Sequence, residues 1–139
     1  MKKTGLLHPA VSHVIASMGH TDGLVVCDAG LPIPEGPERI DVAVSPGVPS
    51  FLQVLDAITG ELQVERVLIA GEFQHAGRDL YPRFVAAIEA LGRAQGRTIA
   101  IDRVSHEDFK RTTASARAVV RTGECTPYAN VILYAGVTF

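Results

Sequence analysis

A histidine and an aspartate bracket a short apolar run in the stretch Gly19-His20-Thr21-Asp22-Gly23-Leu24-Val25-Val26-Cys27-Asp28-Ala29-Gly30. A histidine gives and takes protons near neutral pH, and a carboxylate accepts hydrogen bonds from hydroxyl groups. A crevice holding both can therefore run acid–base chemistry. Leu24 to Cys27 reads as a buried strand, which puts Asp28 at a strand's carboxyl end, where open α/β sheets hold their ligands. His20 follows a glycine that can end the preceding helix, so His20 and Asp28 are expected at one crevice. Each also has a plainer reading, the histidine as a helix-end cap and the aspartate as an Asx turn before Ala29-Gly30. His106 reads as a residue of a helix's first turn. Tyr128 and Asn130 flank the start of the last strand, where packing alone would explain them.

Other chemistries lack their residues. His8 and His13 stand five apart and do not share a helical face. There is no His-Glu-x-x-His, no Cys-x-x-Cys and no acidic calcium loop, so a metal site would need assembly from distant residues, with His20, Asp28 and His106 as one such set, and none is expected. Neither a P-loop nor Gly-x-Gly-x-x-Gly occurs, and Ser50 and Cys125 lack a nucleophile's local motif. No cofactor is expected. Net charge is −2 over 139 residues with no basic run, which argues against nucleic acid as a partner. No apolar run is long enough to cross a membrane, so no membrane insertion is expected. Met1-Lys2-Lys3 leads into a segment broken by Pro9, Ser12 and His13, so no signal peptide is expected. Cys27 in a strand and Cys125 in a loop make no disulfide framework, which points to the cytoplasm.

The elements that must position these residues follow from periodicity and punctuation. Val11, Val14, Ile15 and Met18 set a helix over 7–18 that ends at Gly19. Strand 24–27 leads into a stiff proline-rich loop over 31–37, then a strand over 40–45. Pro49 opens a helix ending at Gly60, and Val67 to Ala70 is a strand. Residues 71–77 read as loop, 79–94 as helix and 98–101 as strand. Ser105 caps a helix whose pattern continues with interruptions to Arg121. A turn over 123–127 precedes a last strand, 130–134. Alternating strands and helices imply a single α/β domain over 1–139, a three-layer α/β/α arrangement with a mainly parallel, mixed sheet.

Taken together, Gly19-His20-Thr21-Asp22, Val25-Val26-Cys27-Asp28-Ala29-Gly30-Leu31-Pro32-Ile33-Pro34, Gly47-Val48-Pro49-Ser50-Phe51, Gly123-Glu124-Cys125, Pro127-Tyr128-Ala129-Asn130 and Ala135-Gly136-Val137-Thr138-Phe139 resemble the D-ribose pyranase family. The resemblance spans nearly the whole chain, with Gly71 to Arg93 departing most. It implies a metal- and cofactor-independent isomerase that interconverts β-pyranose and β-furanose forms of D-ribose ahead of ribokinase. It also implies a ring-like homo-oligomer, typically a homodecamer, with the sugar at a subunit boundary. The family's proton donor falls on His20, and its sugar-binding positions fall on Asp28, His106, Tyr128, Ala129 and Asn130. The related fucose mutarotase family shares fold and chemistry and supplies the alternative enzyme reading. The non-catalytic alternative is a sugar-binding accessory protein of ribose transport.

Overall fold

Leu24, Val25, Val26 and Cys27 are fully buried, as expected of a strand covered on both faces. In the computed structural model, which describes residues 1–3 and 5–139, they belong to β1 (Gly23–Cys27). The other strands are β2 (Glu38–Asp41), β3 (Val64–Ala70), β4 (Ala100–Val104), β5 (Ala118–Arg121) and β6 (Val131–Ala135). The helices are α1 (Pro9–Ser17), α2 (Phe51–Thr59), α3 (Phe73–Ala76), α4 (Leu80–Ala94) and α5 (His106–Thr113). One six-stranded sheet runs β2-β5-β1-β6-β3-β4. The pairs β1–β5, β2–β5 and β3–β4 are parallel, and β6 is antiparallel to both neighbours, β1 and β3. Five strands therefore point one way and β6 the other.

Strand alternation sorts the core into two layers. Leu24, Val26, Val67, Ile69, Val131 and Leu133 face α1, α2 and α4. There Phe51, Phe73 and Phe84 form an aromatic cluster with ring centroids 5.6–6.1 Å apart. Val25, Cys27, Leu68, Val119 and Ile132 face Phe109 of α5 and Leu31 of the proline-rich loop. The expected three layers are present, the second helical layer being a single short helix.

Several boundaries differ from the sequence reading. The chain read as helix to Arg121 leaves α5 at Thr113, and Ala118 to Arg121 become β5. The β-branched pair Val119 and Val120 is buried on opposite faces, and that burial overrides the helical spacing. Residues 73–76 make the one-turn α3 within the segment read as loop. β2 ends at Asp41, whose side chain turns back to accept from Ala43 N–H at 3.1 Å. β4 starts two residues later than expected and runs to Val104, in register with Arg66 to Ala70. His8 is the N-cap of α1, its Nδ1 accepting from Val11 N–H.

The two cysteines are unpaired, Cys27 buried and Cys125 exposed. Burial, with Asp28 adjacent, pushes the Cys27 thiol up to about 12. A thiolate-directed reagent at pH 8 should label Cys125 in the folded protein and Cys27 only after unfolding, read by peptide mass spectrometry. Labelling of Cys27 at the native rate of Cys125 would contradict this core.

Candidate active site

Because β6 is reversed, its amino end lies at the same sheet edge as the carboxyl ends of β1, β4 and β5. Asp28 leaves β1 there, His106 follows β4, Glu124 follows β5 and Tyr128 precedes β6. Together with Leu31, Pro32 and Cys125 they line a cleft of about 510 Å³.

Asp28 is nearly buried and held on three sides. Its N–H donates to Asn130 Oδ1 at 2.9 Å, while Asn130 Nδ2 donates to Asp28 Oδ2 at 3.0 Å. Gly30 N–H donates to Asp28 Oδ1 at 2.9 Å, so the Asx turn is real and coexists with the site. Each carboxylate oxygen keeps a further lone pair for a ligand's hydroxyl. Asn130 is fully buried and, like Ala129, stands behind the cleft without lining it. Its amide orients Asp28.

Ser105 caps α5 as expected, accepting from Asp108 N–H at 3.1 Å, which fixes His106 as the first helical residue. The His106 N–H donates to Glu72 Oε1 at 3.1 Å, and the ring meets Tyr128 edge-on at 4.9 Å. His106 Nδ1 is buried with no hydrogen-bond partner among the described residues. Leaving such a nitrogen unpaired costs about 1–3 kcal/mol. Tyr128 takes a left-handed φ of 64° and accepts from Asn130 N–H at 2.8 Å, a tight turn that brings its ring to the cleft. Strained backbone of this kind gathers at functional sites.

Glu124 is a residue that the sequence reading missed. Burial alone would raise its carboxyl. Hydrogen bonds from Thr126 and from the N–H groups of Phe51 and Cys125 outweigh that and hold it below the usual carboxylate range. It thereby ties the start of α2 to the cleft loop, while its carbonyl accepts from Ala29 N–H at 2.8 Å. Beside it Gly123 packs so closely that a Cβ would lie 2.5 Å from Val48 O. The motifs around Gly47 and Gly123 are thus one interlocked corner. No local sequence pattern announces a carboxylate whose partners are backbone amides.

His20 is elsewhere. It precedes β1 and lies at the opposite edge, where Thr21 N–H donates to Ala135 O at the end of β6. β1 alone separates the two edges by roughly 13 Å at ~3.3 Å per residue. The expectation of one crevice for His20 and Asp28 within a chain therefore fails. So does a metal site from His20, Asp28 and His106. Among the described residues no other set of three such ligands converges. The His20 ring does not cap α1 either; its Nε2 lies 2.8 Å from Glu65 Oε2.

The RbsD / FucU transport protein family model matches residues 1–138, and the chain belongs to that family. It is 54% identical over 139 residues, all of both chains, to the D-ribose pyranase of Cronobacter sakazakii. Its fold is similar to that of Bacillus subtilis RbsD, solved in complex with D-ribose, with a TM-score of 0.88, 42% identity and all of both chains covered. The fucose mutarotase of Streptococcus pneumoniae, solved with L-fucose, is more distant: TM-score 0.71, 26% identity, 96% of this chain and 95% of that one. No helix among the described residues is long and apolar enough to cross a membrane.

The depressed Glu124 carboxyl contributes stability that is complete above the ordinary glutamate value and is lost as pH falls through the lower, folded-state value. Glu124→Gln should lower stability at pH 7 by about 1 kcal/mol, solvent screening limiting the effect, and the gap should shrink as pH falls through and below the ordinary glutamate range. Urea midpoints of both chains at neutral and at progressively more acidic pH check this; a gap that does not change with pH would contradict it.

Proposed function

We propose that this chain is a D-ribose pyranase, catalysing exchange between β-pyranose and β-furanose ribose by acid–base opening and closing of the ring. The observation that carries the reading is the cleft itself. Asp28 is held with acceptor capacity free beside His106, whose Nδ1 has no partner among the described residues, and Tyr128 supplies a further hydroxyl. Such a site fits a small molecule covered in hydroxyl groups.

Ring opening breaks the bond between the anomeric carbon and the ring oxygen. The ring oxygen keeps the electron pair and takes a proton, while the anomeric hydroxyl releases one and becomes the aldehyde oxygen. Attack by a different hydroxyl on that aldehyde closes the other ring with the reverse proton movements. Nothing is oxidised or reduced. In this reading His20 donates the proton. Asp28 accepts hydrogen bonds from sugar hydroxyls and takes up the proton released. His106 and Tyr128 fix the sugar, and Asn130 and the Ala129 backbone hold the wall behind. Positioned proton transfer of this kind contributes roughly 10²–10⁴-fold, which suffices for a reaction that already proceeds unassisted.

His20 and the cleft lie at opposite edges of one chain, which supports a site completed by His20 of a second copy. A closed ring of copies, a homodecamer in this reading, repeats that junction around its circumference. The cytoplasm suits the two free thiols.

Saturation-transfer NMR on equilibrated D-ribose should show accelerated pyranose–furanose exchange at catalytic protein levels, with His20→Ala slowing it at least ~10²-fold. Saturable ribose binding with unchanged exchange would replace this reading with a non-catalytic sugar-binding one. Acceleration of fucose exchange alone would move it to a mutarotase. Separately, inactive His20→Ala and Asp28→Ala chains mixed in equal amounts and reassembled should recover about a quarter of wild-type exchange, since each site draws on two chains. No recovery in assembled mixtures would mean that a site is not shared.

A further inference from the structure

Two local departures from regular backbone meet at His20. Pairing between β3 and β6 steps from Val64↔Ala135 to Arg66↔Tyr134, two residues against one, which makes Glu65 the extra residue of a β-bulge. Packing agrees with this. Val67 and Ile69 face the α1, α2 and α4 layer, and so does Val64, which strict alternation from Val67 would put on the other face. The second departure is Thr21, whose φ of 68° is a left-handed conformation that a β-branched residue rarely adopts. One hydrogen bond ties them together: Thr21 N–H donates to the carbonyl of Ala135, the residue paired with Val64 at the bulge, at 2.9 Å.

The product of these distortions is one contact. Glu65 Oε2 stands 2.8 Å from His20 Nε2, with the histidine side chain 54% exposed and the glutamate 22%. An ion pair this exposed adds little to stability, so stability does not account for a bulge and a strained threonine built around it. Bulges commonly re-aim a side chain beside an active site.

We propose that Glu65 is a positioning residue for proton transfer by His20. Its carboxylate accepts a hydrogen bond from Nε2–H, fixes the ring's orientation and leaves Nδ1 as the nitrogen that exchanges a proton with the sugar. The protonated ring gives the Nδ1 proton to the ring oxygen as the ring opens and regains one when it closes. No proton passes to Glu65 in this scheme. This inference rests on the reading of His20 as proton donor.

The test uses the assembled full-length protein and the dependence of exchange on ribose concentration. Glu65→Ala should lower turnover about 10–100-fold and leave KM within about twofold, because the carboxylate acts through His20 and not on the sugar. Glu65→Gln, which keeps a hydrogen-bond acceptor without the charge, should fall between that variant and the wild type. Added formate should raise turnover of the Glu65→Ala chain and leave the His20→Ala chain unmoved. Wild-type turnover in both Glu65 variants would overturn the inference. So would a loss that neither glutamine nor formate relieves. Should the alanine chain not assemble, the glutamine chain decides alone: reduced turnover at unchanged KM supports the inference, and wild-type turnover overturns it. Full activity of His20→Ala would instead defeat the donor reading on which it rests.

Discussion

β6 runs antiparallel between β1 and β3, and that reversal sets where every polar group of interest lies. Its amino end brings Tyr128, Ala129 and Asn130 to the edge at which β1 and β4 deliver Asp28 and His106. Its carboxyl end brings Ala135 to the edge that holds His20 and Glu65. With six strands all parallel, the Tyr128 turn would sit at the far edge and Asp28 would lose the amide that orients it. The reciprocal pair between Asp28 and Asn130, 102 residues apart in sequence, is the bond by which this reversal reaches the chemistry.

The rest of the cleft is built by holding backbone in place, so few side chains there are free to move. Glu124 gathers amide hydrogens from α2 and from its own loop, and Gly123 admits the Val48 carbonyl where any side chain would collide. Thr122 Oγ1 donates to Cys27 O at 2.8 Å, fastening β5 to the end of β1 just before Asp28. These contacts order the floor and rim before a ligand arrives, which lowers the entropy lost on binding. The left-handed Tyr128 belongs to the same economy of motion.

Much of this was legible in the sequence because its causes are local. β1 is buried on both faces and therefore reads as an unbroken apolar run, and its end marks Asp28. Ser50 and Gln53 form the capping box that starts α2, close to where Pro49 had placed that start. β5 was illegible because residues 116–121 carry no glycine or proline, and only their neighbours in the sheet decide for strand. The error over His20 has a simple geometric origin. Seven residues lie between it and Asp28, and the five of β1 spend that length going straight. Glu65 and Glu124 escaped notice for another reason: a bulge and a set of amide contacts exist only once the chain is folded.

The opposite-edge placement of His20 and Asp28 carries a thermodynamic consequence. If the sugar is held as proposed, between the cleft of one chain and the histidine of another, it is a ligand of the junction, and linkage then makes sugar binding and association two views of one equilibrium. Occupied junctions would then hold their chains together more tightly, and chains driven apart by dilution would hold the sugar more weakly by the same factor. Under the proposed sharing of sites, an isolated chain would present only half of the acid–base pair. Copy number per cell, and not affinity alone, then sets how much of the population is chemically competent.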